Sequence, residues 1–492
     1  MSNTKASKGR DLTQGALLPK IIVFALPLIA TGVLQLLFNT ADSVVVGRWG
    51  GDTKEECETA LAAVGSCGSL INLIVNFFFG LSVGAGVCVA QDLGAKRYDD
   101  VQKVVHTSVL TALVSGTVVA LIGMLFARSL LILMGTEPAV LDQAVPYMCA
   151  YFAGAPANMV YNYCASIMRS NGDTVHPLAF LTVAGVTNVG LNLIMVLVFN
   201  LGALGVGIAT AASQWISCIL IVWFMARDDG PCRLNFRKLR IDREKLRKII
   251  YIGIPAGIQG MVFSFSNVLI QSSVNSFGKA TVAANTAASN LCDYVYTAQN
   301  ALYHAALTFV GQNVGAHRYD RIKSVALNCI GVVTAVGLVV GVLMVTFGEF
   351  LLGIYSPGNE HVIEIGMIRL RILATTYFLC GIMEVGSGVL RGLGKSLISM
   401  IVAIIGSCLM RVVWIYTVFA AFPTLDVLYL SYPVSWLLTA IAHFTFVFIT
   451  VRNLRKAGEP SLQPAAAQAA AIRTVDVQAE SVPESEPDSK EE

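Results

Sequence analysis

Within the first long apolar run of the chain, four polar side chains recur at spacings of 4, 4 and 3: Thr31, Gln35, Asn39 and Asp42. At 100° per residue a helix holds all four inside an arc of about 80°, so they form one stripe with an acid at its head. A charged group at the centre of a membrane helix costs about 2.5–3.5 kcal/mol on insertion scales, and such groups persist where they pair, protonate or meet water. A second set lies further on: Asn188 and Asn192 at i, i+4 in VAGVTNVGLNLIMVLVF, and Thr210 in GIATAAS. Together with Asp42 they would make a small cavity of oxygens and amides suited to a protonatable acid or to bound Na⁺. Polar side chains also simply hold membrane helices together. Each asparagine fits that role as well as it fits a site; an ionisable carboxylate exceeds it, which favours function at Asp42.

The second half of the chain carries a different inventory. Its charged residues inside apolar runs are Asp293, Glu384 and Arg411. Two readings stay open for the acids: a structural network with Arg411, or a direct part in binding a cation or coupling to one. His304 and His443 read as packed core histidines, and Arg369 and Arg371 as residues near the outer end of the tenth apolar run.

The elements that must position these groups follow from composition. Of 492 residues, 55% are hydrophobic and 13% charged, with a mean hydropathy of +0.67, where an average soluble domain is about 25% charged. The expected fold class is an all-α polytopic membrane protein. Twelve candidate spans begin near residues 16, 59, 103, 139, 176, 204, 247, 281, 324, 363, 396 and 427. The first runs from Gly15 to Val46 and is long enough to tilt or bend, with Pro27 as the bend. It follows the basic residues Lys5, Lys8 and Arg10 and is too long for a signal peptide.

Lysine and arginine set the orientation. With a cytoplasmic N-terminus, the inner loops take Lys96, Arg97, Lys103, Arg169, Arg318, Arg321, Lys323, Arg391, Lys395 and the run RLNFRKLRIDREKLRK, while the outer loops hold few. That is the positive-inside bias, and it puts both termini in the cytoplasm, the chain in the plasma membrane and Asp42 in its outer half. The central basic run reads as a solvated connection, and a net charge of +3 gives no reason to expect nucleic acid. The 11 cysteines and six histidines show neither a disulfide framework nor zinc-ligand spacing. No cofactor is expected, and the chain is expected to act as a monomer among membrane lipids.

The chain repeats itself. AQDLGAKRYDDVQKV (Ala90 to Val104) aligns with GQNVGAHRYDRIKSV (Gly311 to Val325) at an offset of 221, and MRSNGD at Met168 with LRGLGK at Leu390 at 222. Pro27, Asn39 and Gly50 match Pro255, Asn267 and Gly278 at 228, so about seven extra residues fall in the first outer loop, around KEECE. Two parallel six-span halves follow, the plan of many secondary transporters. The expected divisions are an N-lobe at 1–226, a basic connection at 227–246, a C-lobe at 247–455 and a disordered cytoplasmic tail at 456–492. The halves divide the charge: Asn72, Asn162 and Val189 stand opposite Asp293, Glu384 and Arg411, and Ile270 opposite Asp42. Asn162 therefore joins Gln35, Asn39, Asp293 and Glu384 as a candidate cavity residue, with Pro27, Pro255 and Arg411 as structural ones.

The order of FNTADSVVVG, ALAAVG, GLSVGAGVCVAQDLGAKR, IMRSNGDTVHP and GALGVGIATAAS resembles the multidrug and toxic compound extrusion family over about Leu12 to Arg455. The resemblance implies twelve helices in two six-helix lobes that alternate in access and export organic cations or drugs against H⁺ or Na⁺. It implies that Asp42 is the family's first-helix acid, with Gln35, Asn188 and Thr210 at other cavity positions. Asn192 stands where many members carry a second acid, and Phe263 and Cys380 stand where some carry the acids of a C-lobe Na⁺ site. H⁺ coupling is therefore favoured, with Na⁺ at Asp42 left open.

Other readings fare less well. A flippase for lipid-linked saccharides would line its cavity with several cations, and only Arg411 lies well inside a span. An intramembrane enzyme would need a convergent catalytic set; no HExxH is present, and GLSVG at Gly80 to Gly84 matches GxSxG in letters only, inside an apolar run without the strand-to-helix turn that motif requires. A channel or scaffold does not call for the lobed repeat or the buried acids.

Overall fold

The computed structural model describes residues 11–458, so the expected tail lies, beyond residue 458, outside the described residues. The chain divides into a large unit, Met1–Phe448, and a second, Ile449–Glu492, whose described part is the end of a helix.

The first half of the described chain contains α1 (Leu17–Trp49), α2 (Lys54–Gly94), α3 (Tyr98–Leu125) and a short α4 (Ala127–Leu133). It continues with α5 (Pro138–Ala153), α6 (Ala155–Ser170), α7 (Val175–Leu193) with a π-helical extension at Ile194–Val198, and α8 (Gly202–Arg227). The second half repeats this almost element for element. It runs through α9 (Arg243–Asn275), α10 (Lys279–Gly315), α11 (Tyr319–Thr346), a short α12 (Gly348–Tyr355) and α13 (Glu360–Gly392). It ends with α14 (Ser396–Ala403), α15 (Met410–Trp414) between π segments at Ile404–Leu409 and Ile415–Phe419, and α16 (Leu425–Gly458). Twelve long helical segments thus stand where twelve spans are expected, each starting within five residues of its expected position.

Ten of these are long and apolar enough to cross a membrane by length and composition. The other two are the α5–α6 pair and α10. The first is broken at Gly154, where a Cβ would lie 2.1 Å from the Gln214 Oε1 and where Pro156 begins the next helix. α10 is dense in polar residues because it packs between other helices, chiefly α13 and α2, rather than against lipid.

Two expectations about loops are corrected. KEECE is not loop: Thr53 and Glu56 form a reciprocal capping box that starts α2 at Lys54, so the extra residues lengthen a helix. The central basic run is not simply solvated. Leu234 is buried, the backbone N–H of Asn235 donates to His106 Nε2 at 3.1 Å, and that of Asp242 donates to Thr107 Oγ1 at 3.0 Å. Lys245, also buried, pairs with the fully buried Asp92 at 2.9 Å and with Asp100 at 3.3 Å. The connection is docked on α2 and α3 because those acids need a cation.

The repeated motifs hold the halves together on the face that carries the loops after α2, α6, α10 and α13. Gln91 Nε2 donates to the Gly392 carbonyl at 2.9 Å, and its repeat partner Gln312 donates to the Ser170 carbonyl at 2.8 Å. Each glutamine thereby fills an acceptor left over at the C-terminal end of a helix in the other half. Gly94 and Gly315 permit the approach: a Cβ on either would lie 1.9 Å from the carbonyl oxygen of Gln312 or Gln91. Lys96 and His317, also repeat partners, both take positive φ (57° and 55°) in the turns that follow. Gln312 Oε1 in addition accepts from the backbone of the buried Leu12, which ties the N-terminal segment to the same face.

Candidate functional site

The residues with the sharpest chemistry in the first half do converge. Asn188 and Asn192 lie one turn apart on α7 and are both buried, Asn192 completely. Asn192 Nδ2 donates to Asp42 Oδ1 on α1 at 2.5 Å and to Asn188 Oδ1 at 3.3 Å, and Asn188 Nδ2 donates to Thr210 Oγ1 on α8 at 3.4 Å. A line of amides thus leads from the carboxylate into the lobe. Asn192 Oδ1 is buried without a hydrogen-bond partner among the described residues, an acceptor left free beside the acid. The π segment begins two residues after Asn192, where α7 widens next to the site.

The rest of the polar stripe is placed differently. Thr31 Oγ1 donates back to the Pro27 carbonyl at 2.7 Å, and Gln35 and Asn39 are exposed. No hydrogen bond joins the four stripe side chains to one another among the described residues. Asn162 is not brought to either candidate site: its amide is used on Asn158 of the same helix, at 2.5 Å to the side chain and 2.9 Å to the backbone. Tyr147 and Tyr151 of α5 lie within electrostatic reach of Asp42. Sequence reasoning missed both, since a tyrosine in an apolar helix carries no periodic signal.

The acids of the second half occupy a cavity of about 440 Å³. Its wall includes Asp293 and Asn300 of α10, Glu384 of α13 and Arg411 of α15, together with Phe263 and Cys380. The reading of Asp293 and Glu384 as an ion-paired network with Arg411 is not met: among the described residues neither acid has a cation within 4.0 Å. Arg411 is held otherwise. Its Nε donates to Ser435 Oγ at 3.0 Å, and its guanidinium lies 4.2 Å from the centre of the Tyr432 ring. The single α turn between two π segments sets the register that turns it inward.

Three further assignments change. Arg391, expected in an inner loop, is buried and lines the same cavity, donating to the Tyr303 hydroxyl and to Gln259 Oε1. Its position near a turn gave no sign of this, because the partners come from α9 and α10. Arg369, expected near a span end, is buried and donates to Asn285 and to Ser289, whereas Arg371 is exposed. His304 lines the cavity instead of packing in the core, while His443 is fully buried between the carbonyls of Met383 and Ser399.

Comparison with known proteins agrees with the repeat. The MatE family model matches twice, over residues 27–194 and 255–417, each match starting on one of the repeat-related prolines Pro27 and Pro255. The chain is 28% identical over 389 residues to the probable multidrug resistance protein YoeA of Bacillus subtilis (strain 168), covering 78% of this chain and 82% of that one. It is 20% identical to the multidrug export protein MepA of Staphylococcus aureus (strain MSSA476), covering 80% and 85%. In fold it is similar to a MOP superfamily transporter from Pyrococcus furiosus Vc1 (DSM3638), described as having a binding pocket of reverse polarity. That match has a TM-score of 0.85 and 22% identity, covering 92% of this chain and 99% of that one. The two matched halves together span most of the described helices, and the chain belongs to the MatE family, the multidrug and toxic compound extrusion transporters.

Proposed function

We propose that this protein is a cation-coupled antiporter that exports organic cations or drugs across the plasma membrane by alternating access, with Asp42 as the coupling acid. The observation that carries the reading is the contact of Asp42 with Asn192, backed by Asn188 and Thr210. The Asp42 carboxylate has one hydrogen-bond donor, Asn192, and no counter-cation within 4.0 Å among the described residues, so it is poised to take a proton or a cation. Protonation would remove the charge that attracts a cationic substrate and weaken the Asn192 bond. The bond between α1 and α7 would then change with ion occupancy, and Pro27 gives α1 a place to bend.

The sealed face supports an outward-facing loading form. The lobes, 1–226 and 247–455 joined by 227–246, meet where the basic loops gather, which the charge bias assigns to the cytoplasm along with both termini. Asp42 lies toward the opposite end of α1 and would load from outside. H⁺ is the favoured coupling ion. Na⁺ is the second reading, favoured by one observation: the unpartnered Asn192 Oδ1 beside Asp42 is an oxygen that a hard cation would use.

Proteoliposomes given separate H⁺ and Na⁺ gradients and loaded with a cationic dye test the proposal. An H⁺ gradient should drive dye movement in the wild type. Asp42→Asn should lower the gradient-driven rate at least about tenfold while leaving equilibrium dye binding detectable. Wild-type transport by Asp42→Asn would sink the assignment.

A further inference from the structure

The connection between the halves carries more exposed charge than a tether needs. Its inner side is fixed: Leu234 and Leu239 pack into the apolar core that α2, α3 and α6 form, and the backbone bonds to His106 and Thr107 hold the run against α3. The outer side presents Phe236, Arg237, Lys238, Arg240 and Ile241, and the first two turns of α9 add Arg243 and Arg247. All five of these cations are exposed, and none has a carboxylate within 4.0 Å among the described residues. Of the two acids in the run, Asp242 is spent on capping α9, where it accepts from the backbone N–H of Lys245 at 3.0 Å, which leaves Glu244 against five cations. Phe236 and Ile241 are 58% and 47% exposed. Apolar side chains set among unpaired cations, on a backbone held in place, are what a membrane-surface segment presents.

The course of α9 sets the level of these groups. Arg243 and Arg247 open an exposed face that continues through Ile250, Tyr251, Ile254 and Phe265, all within an arc of about 100°. Ala256, Gln259 and Phe263, which line the C-lobe cavity, stand across the helix from it. Since α9 is long and apolar enough to cross a membrane, this outer face passes from cations to apolar surface with a tyrosine at the change, the pattern of a membrane interface. At about 1.5 Å per residue Arg247 stands about 6 Å and Arg243 about 12 Å from Tyr251 along the axis, at and just beyond the level of lipid headgroups. We propose that the connection is a docking surface for anionic phospholipid, in which Arg237, Lys238, Arg240, Arg243 and Arg247 hold headgroups of the adjacent leaflet while Phe236 and Ile241 seat among them. The guanidinium fork matches a phosphate, and several cations beside a span concentrate anionic lipid. A nucleic acid would meet the same cations but would leave Phe236, Ile241 and the apolar face of α9 without a partner. Because Lys245 of the same run is paired with Asp92 and Asp100, lipid on one side and the first half on the other would both hold the start of α9, so the charge of the bilayer would bear on the junction of the two halves.

Lipid titration followed by native mass spectrometry on the full-length protein in a mild nonionic detergent tests this without reference to transport. The probes are phosphatidylglycerol and phosphatidylcholine with the same acyl chains. Wild type should bind phosphatidylglycerol about tenfold more tightly than phosphatidylcholine. The five-site variant Arg237→Gln, Lys238→Gln, Arg240→Gln, Arg243→Gln and Arg247→Gln should bring that ratio to about twofold or less. A control with Arg48→Gln, Lys54→Gln, Arg128→Gln and Lys279→Gln, which removes exposed cations from the other loops, should keep the wild-type ratio. Both lipids are read in one preparation, so a reduced folded fraction cancels in the ratio. Equal affinity of the wild type for the two lipids overturns the proposal, as does a preference that survives in the five-site variant or falls equally in the control. Displacement of phosphatidylglycerol by inorganic phosphate, or by a short RNA at equal concentration, overturns it too, and would reassign the run to free phosphate or to a nucleic acid.

Discussion

The N-lobe site and the C-lobe cavity are built on the same repeated scaffold but handle charge in opposite ways. In the N-lobe a single carboxylate is bonded to neutral amides, in a line from Asp42 to Thr210. In the C-lobe two carboxylates and two guanidiniums face one cavity without pairing among the described residues. The π segments after α7 and around α15 recur at the same repeat position, Ile194–Val198 and Ile415–Phe419, yet one follows an asparagine that touches an acid and the other follows an arginine. A site that exchanges one small ion needs one charge and adaptable neutral partners. A site that selects among organic molecules needs several charges held apart. The division of residues between the lobes fits a division of labour between coupling and selection.

The hardest test of that division is to move the proposed coupling acid to its repeat position. In Asp42→Asn combined with Ile270→Asp the acid is transferred from one lobe to the other. Ile270 is 2% exposed within an apolar cluster, and at the offset of 222 that pairs Val189 with Arg411 the residue matching Asn192 is Trp414, whose indole N–H donates to the Val427 carbonyl. The new carboxylate would have no amide to receive it and would be buried unpaired. Gradient-driven dye transport in proteoliposomes should stay about a hundredfold or more below wild type. Recovery to within about tenfold would mean that the lobes are interchangeable as coupling sites, and the comparison would break.

A smaller effect sharpens the N-lobe side. Asn192→Asp sets a second carboxyl where the amide now donates to Asp42 at 2.5 Å. Two carboxyls so close cannot both remain charged without a proton or a cation between them. Na⁺ binding, measured by isothermal titration at fixed pH on the purified protein, should tighten about tenfold, with the H⁺ released per Na⁺ bound rising in step. Unchanged Na⁺ affinity would show that Asn192 does not decide the ion, leaving its contact with Asp42 as helix packing.

Much of this was legible in the sequence, for particular reasons. The repeat offsets located the halves because the turns demand the same chemistry twice: Lys96 and His317 adopt the same left-handed turn, and Gly94 and Gly315 allow the same close approach. The helix starts followed from apolar runs, except where the Thr53–Glu56 capping box began α2 early. The N-lobe set was readable because spacing of 4 puts Asn188 and Asn192 on one face. Spacing does not say which faces meet, so their contact with Asp42 and Thr210 had to come from packing. The C-lobe was harder. A rule that sends arginines to loops places Arg391 in water, whereas Tyr303 and Gln259, distant in sequence, draw it inside. Likewise, counting acids and arginines inside spans invites ion pairs, but the π segments flanking α15 orient Arg411 toward Ser435 and Tyr432.

The smallest expected effect concerns the face where the two halves act alike instead of differing. Gln91 and Gln312 are repeat partners, and each donates to a helix-end carbonyl of the opposite half. In the proposed alternating-access cycle both bonds would break when this face opens, so their strength would set part of the balance between sealed and open forms. A hydrogen bond of this kind contributes about 0.5–1.5 kcal/mol net, so Gln91→Ala with Gln312→Ala removes about 1–3 kcal/mol, a shift of about five- to a hundredfold toward opening. Spin labels at Lys96→Cys and His317→Cys, both exposed on this face, report the separation by pulsed electron resonance, since the native cysteines are buried or half-buried. The double alanine variant should populate a longer distance that is minor in the parent, and either single variant should give an intermediate population. Equal distances in parent and double variant would assign the sealing to the Gly94 and Gly315 contacts between α2 and α10 alone. Because the two bonds are related by the repeat, the single variants should also shift the balance by similar amounts, in contrast to the unequal consequences of exchanging charge between the lobes.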